Sequence, residues 1–165
     1  MKISTLAGLM VLFFCSCQEQ KNLDEHLETG LSNLKNVRKI DKCFVDDFGI
    51  EELGIIKKND SVKYLIFKLD DKSDPATIGE YRVGVLFNLN DFNAKKEGLL
   101  ENVKRKSFDF LPIVKTINEN RYIINEITTK IDRVDELDLY IYQYSNGKIT
   151  KLVLDRISVK KISLI

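Results

Sequence analysis

Side chains able to do chemistry are few and scattered in this 165-residue chain. Carboxylates come closest together at Asp46-Asp47, at Asp70, Asp71 and Asp74, and along Asp132, Asp135, Glu136 and Asp138. Paired carboxylates perform general acid–base work or hold Ca²⁺. None of these groups has the alternate-position loop with a central glycine that an EF-hand needs, and adjacent acids on a strand point to opposite faces. Asp70, Asp71 and Asp74 are the best placed for carboxylate catalysis or a cation loop, but a solvated turn accounts for them more simply. His26, the sole histidine, has no second histidine or near cysteine to complete a metal site and no nucleophile to activate; a surface histidine is expected. Cys43 stands beside Phe44 and Val45, which predicts a small buried residue rather than a reactive thiol. Gly-rich phosphate loops, GxSxG and HExxH are absent, so no catalytic residue, metal ligand or cofactor is assigned.

Tyr140, Tyr142 and Tyr144 recur at period two, so their rings share one strand face, while Leu137, Leu139 and Ile141 share the other. With the aliphatic face on a core, the tyrosine row could bind a sugar or a peptide, since each ring offers apolar area and a hydroxyl. The competing use is cross-strand packing against residues such as Leu152 and Leu154. Lys104-Arg105-Lys106, the longest basic run, reads as a solvated helix end that could touch lipid headgroups or an acidic partner.

The N-terminus carries a different chemistry. Lys2 precedes an apolar run from Ile3 to Phe14, which ends at Cys15-Ser16-Cys17 and gives way to polar Gln18-Glu19-Gln20-Lys21-Asn22. As a helix the run reaches roughly 18 Å, at 1.5 Å per residue. A bilayer core is about 30 Å thick, so the run suits the apolar part of a signal peptide rather than a span.

This segment resembles the signal peptides of bacterial lipoproteins, which place an aliphatic or aromatic residue and then small residues before a cysteine. Phe14, Cys15, Ser16 and Cys17 occupy those positions, with Phe14 departing from the usual leucine. The resemblance implies a diacylglyceryl thioether on Cys17 and cleavage between Ser16 and Cys17. Ordinary secretory cleavage after Cys17, with Cys15 and Cys17 as the small residues, remains the alternative. Two or three acyl chains would hold the protein stably on a membrane without a span. Gln18 after the cysteine resembles cargo sorted to an outer membrane, and the Lys-, Asn- and Ile-rich composition resembles lipoproteins of the Bacteroidota.

Removing residues 1–16 takes away Lys2 alone among the charges and leaves bases equal to the 25 acids. No large excess of either sign is left to drive binding to nucleic acid or to an anionic membrane face. Cys43 would be the only thiol remaining, so no intramolecular disulfide is expected. With 44% hydrophobic residues and two prolines, the chain can bury a core.

The elements follow from periodicity. Leu23, Leu27, Leu31 and Leu34 predict a helix near 23–37, with Asn22 as its cap. Residues 40–60 show no clear period. Ser61–Leu69 and Ile78–Leu89 predict strands, the second with Tyr81, Val83, Val85, Phe87 and Leu89 on one face. A helix is expected over Phe92–Lys106 and a hairpin from Phe108–Ile117 and Arg121–Thr129. A second hairpin, Glu136–Tyr144 with Lys148–Val159, would turn at Ser145-Asn146-Gly147. The sum predicts an α+β domain, an N-terminal helix packed on a mainly antiparallel meander, of the cystatin or NTF2-like kind. The expected organisation is a signal peptide over 1–16, a lipidated cysteine and tether over 17–22, and one domain over 23–165. Function is expected to be binding or assembly with a protein or glycan partner in the cell envelope, not catalysis. An envelope enzyme using carboxylates and a purely structural subunit are the alternatives.

Overall fold

The computed structural model describes residues 25, 27–32, 34, 37–145 and 148–164. The chain packs as two compact units, residues 1–34 and 35–165. In the first, residues 27–32 are helical, and Ser32 Oγ donates to the Glu28 carbonyl oxygen at 2.8 Å. The helix expected over 23–37 stops short of that range, because residues 34 and 37 are not helical. Cys15, Ser16, Cys17 and His26 lie outside the described residues.

The second unit is built of strands. They are β1 (Arg38–Val45), β2 (Phe48–Lys57), β3 (Val62–Leu69), β4 (Arg82–Asn88), β5 (Arg105–Phe110), β6 (Val114–Ile117), β7 (Asn120–Thr128), β8 (Arg133–Ser145) and β9 (Lys148–Ser163). Helices α1 (Pro75–Gly79) and α2 (Asp91–Lys96) are short. One sheet runs in the order β1-β2-β3-β7-β6 and the other β5-β4-β8-β9, with every pairing antiparallel. Phe48, Leu53, Leu65, Phe67 and Ile123 of the first sheet join Val83, Val85, Phe87, Leu137, Leu139 and Ile141 of the second in one buried cluster, so the sheets pack face to face. The mainly antiparallel, sheet-rich fold expected from the sequence is present, with only short helices.

Several elements differ from expectation for local reasons. Residues 40–60 form most of β1 and all of β2. Left-handed Asp41 (φ 47°) and the register shifts along β1 and β2 break the alternation that would have revealed them. The strand expected from Ile78 starts at Arg82, because Asp74 caps α1, its carboxylate accepting from Ala76 N and Thr77 N at 3.3 Å with Pro75 next in line. Beyond it the alternation holds: Tyr81, Val83, Val85, Phe87 and Leu89 are all buried.

The helix expected over 92–106 ends at Lys96. Gly98 adopts φ 73°, its N–H donates to the Lys95 carbonyl and the Leu99 N–H to the Ala94 carbonyl, both at 3.0 Å. This crossing pair of bonds satisfies the last carbonyls and ends the helix. Lys104-Arg105-Lys106 is thus the start of strand β5, not a helix end. The hairpin expected over 108–129 is β6–β7, turned at Asn118 and Glu119 with φ 47° and 67°. Pro112 cannot donate to a ladder, and the chain leaves one sheet at β5 and enters the other at β6. The β8–β9 hairpin pairs as expected; Asn146 and Gly147 at its turn lie outside the described residues.

Two side-chain hydrogen bonds tie the sheets to each other. Arg38 Nη2 donates to the Lys161 carbonyl at 3.1 Å, joining β1 to β9, and Lys106 Nζ donates to the Thr128 carbonyl at 2.8 Å, joining β5 to β7. Gly98→Ala should cost about 1–2 kcal/mol, because a Cβ is disfavoured at positive φ. The check is a lower urea midpoint with unchanged circular dichroism.

Candidate functional site

The outer face of the β5-β4-β8-β9 sheet carries Tyr140 and Tyr142. Register places Arg82 beside Tyr142 and Leu152, then Asp109 beside Gly84 and Tyr140, then Ser107 beside Leu86, Asp138 and Ser158. Leu137, Leu139 and Ile141 point the other way and are fully buried, so the period-two division of this strand is as expected. The Tyr140 and Tyr142 rings stack at 5.9 Å with their planes 23° apart. The side chain of Tyr144 lies outside the described residues.

Gly84 decides how Tyr140 lies. A Cβ on Gly84 would fall 2.2 Å from the Tyr140 ring, so the ring rests down on the bare backbone of β4. Tyr140 is half-exposed, whereas Tyr142 is only 7% exposed and donates its hydroxyl to Asp109 Oδ1 at 2.9 Å. Burial, with that bond to a carboxylate, pushes the Tyr142 phenol up to about 12. Beside the rings, Asn88 Nδ2 donates to Asp138 Oδ2 at 3.3 Å and to Glu136 Oε2 at 3.4 Å, and Ser158 Oγ donates to Asp138 Oδ1. The arrangement is a reclined aromatic ring flanked by carboxylates and an amide. It can stack an apolar ring face and accept hydrogen bonds from hydroxyls.

The other candidates gather at the two ends of the sandwich. A groove of about 560 Å³ is lined by Cys43, Asp46, Asp47, Glu51, Asp70, Asp71 and Lys72. Cys43 is exposed, not buried as its neighbours suggested: Phe44 takes the inward position on edge strand β1, and the thiol turns outward to donate to the Val45 carbonyl at 2.9 Å. The Asp70 carboxylate lies over Gly49, where a Cβ would meet it at 1.9 Å, and accepts from Ser73 Oγ at 2.7 Å. Asp74 is turned to the cap of α1, away from Asp70 and Asp71. Arg121 donates to the Asp70, Asp71 and Ser73 carbonyls and so clamps this loop. Among the described residues no three His, Cys, Asp or Glu side chains converge to hold a metal.

At the opposite end, a pocket of about 490 Å³ is lined by Lys57, Asp60, Ser61, Lys96, Lys130 and Asp132. Behind it, Lys63 is fully buried, donates to the Asp60 and Thr129 carbonyls at 3.0 Å, and lies 3.9 Å from Asp132 Oδ1. Burial lowers the pKa of its ammonium, and the Asp132 charge opposes that effect. Glu97, just past α2, is nearly buried. It accepts from Lys106 Nζ of β5, from Thr129 Oγ1 at 2.6 Å, and from the Lys130 and Ile131 N–H groups at 2.5 and 3.2 Å. Burial raises its pKa, but the bonds from Lys106, Thr129 and Lys130 outweigh this and hold it below the ordinary 4.5.

Sequence reasoning placed the tyrosine row but gave Gly84, Asp109 and Glu97 no role. Gly84 had a signal, since a glycine inside a strand marks a close approach; the other two depend on register across strands. Set against known protein families, characterised proteins and solved structures, the chain finds no match.

The Glu97 carboxylate should make stability acid-sensitive. Its folded pKa lies below the unfolded 4.5, so its contribution is present in full above that pH and lost as pH falls through the folded value. Glu97→Gln should cost about 2 kcal/mol at pH 7 and flatten the fall in urea midpoint below pH 4.5, because bonds to a buried charge are each among the stronger ones.

Proposed function

We propose that this protein is a lipid-anchored binding module of a bacterial cell envelope, held by Cys17 and presenting the Tyr140 face to a glycan or protein partner. Phe14-Cys15-Ser16-Cys17 at the end of a short apolar run supports the anchoring half. No described helix is long and apolar enough to cross a membrane. Gln18 favours an outer-membrane destination, on the periplasmic or outward surface. The α+β, cystatin- or NTF2-like arrangement keeps its place in this proposal through the helical spacing of Leu23, Leu27, Leu31 and Leu34.

One observation carries the binding half: Tyr140 reclines on Gly84 with carboxylates beside it. The bare backbone of Gly84 lets the ring lie flat on the sheet, and a ring lying flat offers its face as a platform. Carboxylate chemistry is the second reading, favoured by the groove that gathers Cys43 with Asp46, Asp47, Asp70 and Asp71. It is weakened by Asp70 and Asp74, whose oxygens serve Ser73 and the cap of α1.

Two measurements test this reading. Intact-mass analysis of the protein from membranes should show residues 1–16 removed and a diacylglyceryl group on the new N-terminus, and Cys17→Ser should remain uncleaved. An unacylated N-terminus refutes the anchor. On a glycan array and in crosslinking on intact cells, Tyr140→Ala and Gly84→Val should each lose at least tenfold in signal, the scale of one interface anchor of about 1.4 kcal/mol or more. Equal signal from variants that keep their urea midpoint refutes the platform.

A further inference from the structure

Charge is sorted along the strands of the second unit. At one end the groove beside Asp46 and Asp70 holds five carboxylates and one lysine. The other end is formed by the β2–β3 turn, the β4–β5 connection and the β7–β8 link, which the pocket of Lys57, Asp60, Lys96, Lys130 and Asp132 brings together. The β4–β5 connection adds Lys95 and Lys104 to that end, along with the carboxylates of Asp91 and Glu101, and β5 opens there with Arg105. Lys104 pairs with Asp91 at 2.7 Å and Lys96 with Asp132 at 3.0 Å, but Lys95, Arg105 and Lys130 meet no carboxylate among the described residues.

The same connection exposes large apolar side chains. Phe92 is 76% and Leu100 80% exposed, within 12 residues of chain that also include half-covered Val103. Ala94 and Leu99 face the core, so the connection is anchored on its inner side while Phe92 and Leu100 stand outward. Exposed aromatic and aliphatic residues set among lysines are the composition of a surface that lies in a lipid interface. Strand β1 also begins toward this end: it runs antiparallel to β2, which finishes at Lys57, so the chain enters the sandwich at Arg38 and leads away from the lysines toward Asp46.

From this we infer that the β4–β5 connection is a membrane-docking element, with Phe92 and Leu100 entering the headgroup boundary of an anionic phospholipid surface and Lys95, Arg105 and Lys130 meeting its phosphates. The inference rests on the lipid-anchor reading above and adds an orientation to it. The lysine end faces the bilayer and the aspartate end, which an anionic surface repels, points away. The tyrosine face then stands along the side, open to a partner.

The chain contains no tryptophan, which makes the test direct. Phe92→Trp, in the full protein on phosphatidylcholine liposomes with or without phosphatidylglycerol, places a single indole probe at the element. Flotation first shows whether the protein is on the vesicles. On phosphatidylglycerol vesicles the indole emission of Phe92→Trp should shift to the blue and lose about half its intensity when the acyl chains are brominated, the depth an interfacial side chain reaches. Leu152→Trp, with its probe exposed near the aspartate end, should show neither change. Adding Lys95→Glu and Arg105→Glu to Phe92→Trp, or raising the salt, should weaken the quenching. If the protein floats yet the two probes behave alike, or if quenching in Phe92→Trp ignores salt and phosphatidylglycerol, the docking is refuted while the anchor stands. If an unacylated chain floats only on phosphatidylglycerol and quenches, the docking stands and the anchor falls. A chain that floats on neither vesicle refutes both.

Discussion

Burial between two antiparallel sheets is the constraint on which the rest of this structure depends. Val83, Val85, Phe87, Leu137, Leu139 and Ile141 on one side and Phe48, Leu53, Leu65, Phe67 and Ile123 on the other lose all or nearly all contact with water. Side chains of this size each contribute about 1.5–3 kcal/mol when fully buried, so no single hydrogen bond competes with the cluster. Because side chains alternate along a strand, committing these rows to the core fixes what the opposite rows present to solvent. Tyr140 and Tyr142 are outward because Leu137, Leu139 and Ile141 are inward.

Polar contacts then hold the two sheets at the places where the core ends. The Glu97 carboxylate binds donors from β5 and from the chain just beyond β7, which belong to different sheets. Lys63 continues the inward row of β3 past Leu65 but reaches the sandwich end, where two backbone carbonyls and Asp132 receive its ammonium. At the far end Arg121 fastens the 70–73 loop through three carbonyl oxygens. Each of these is a long polar side chain with its charge satisfied, as burial at a core boundary requires. The same contacts separate the free charges, leaving carboxylates in excess at one end and lysines in excess at the other.

Legibility from sequence followed how local each cause was. Alternation exposed β4 and β8 because each turns an unbroken aliphatic or aromatic row to the core, and β6–β7 because a turn of residues at positive φ joins them. Strands β1 and β2 were hidden by bulges and by apolar residues on both faces, which leave no period to read. Helix α1 was masked by the strand pattern after it, although Asp74-Pro75 carried its cap signal, and α2 is shorter than its apolar spacing implied because Gly98 at positive φ stops it. For the candidate face, the tyrosine spacing was visible, while the partner of each ring was not. Gly84 under Tyr140 and Asp109 on Tyr142 lie 56 and 33 residues away in the chain, and only register joins them.

The sequence by itself determined the short apolar run that ends at Cys15-Ser16-Cys17, the absence of familiar catalytic motifs, the antiparallel sheet character and which face of β8 is apolar. These are properties of neighbouring residues, set by charge, length and the two-residue period of a strand. Tertiary structure decided that the strands form two sheets, that Cys43 faces outward with Asp46 and Asp70, and that charge divides between the ends. Those depend on which strands pair and in what register, a choice made by the shared core and not by any one segment.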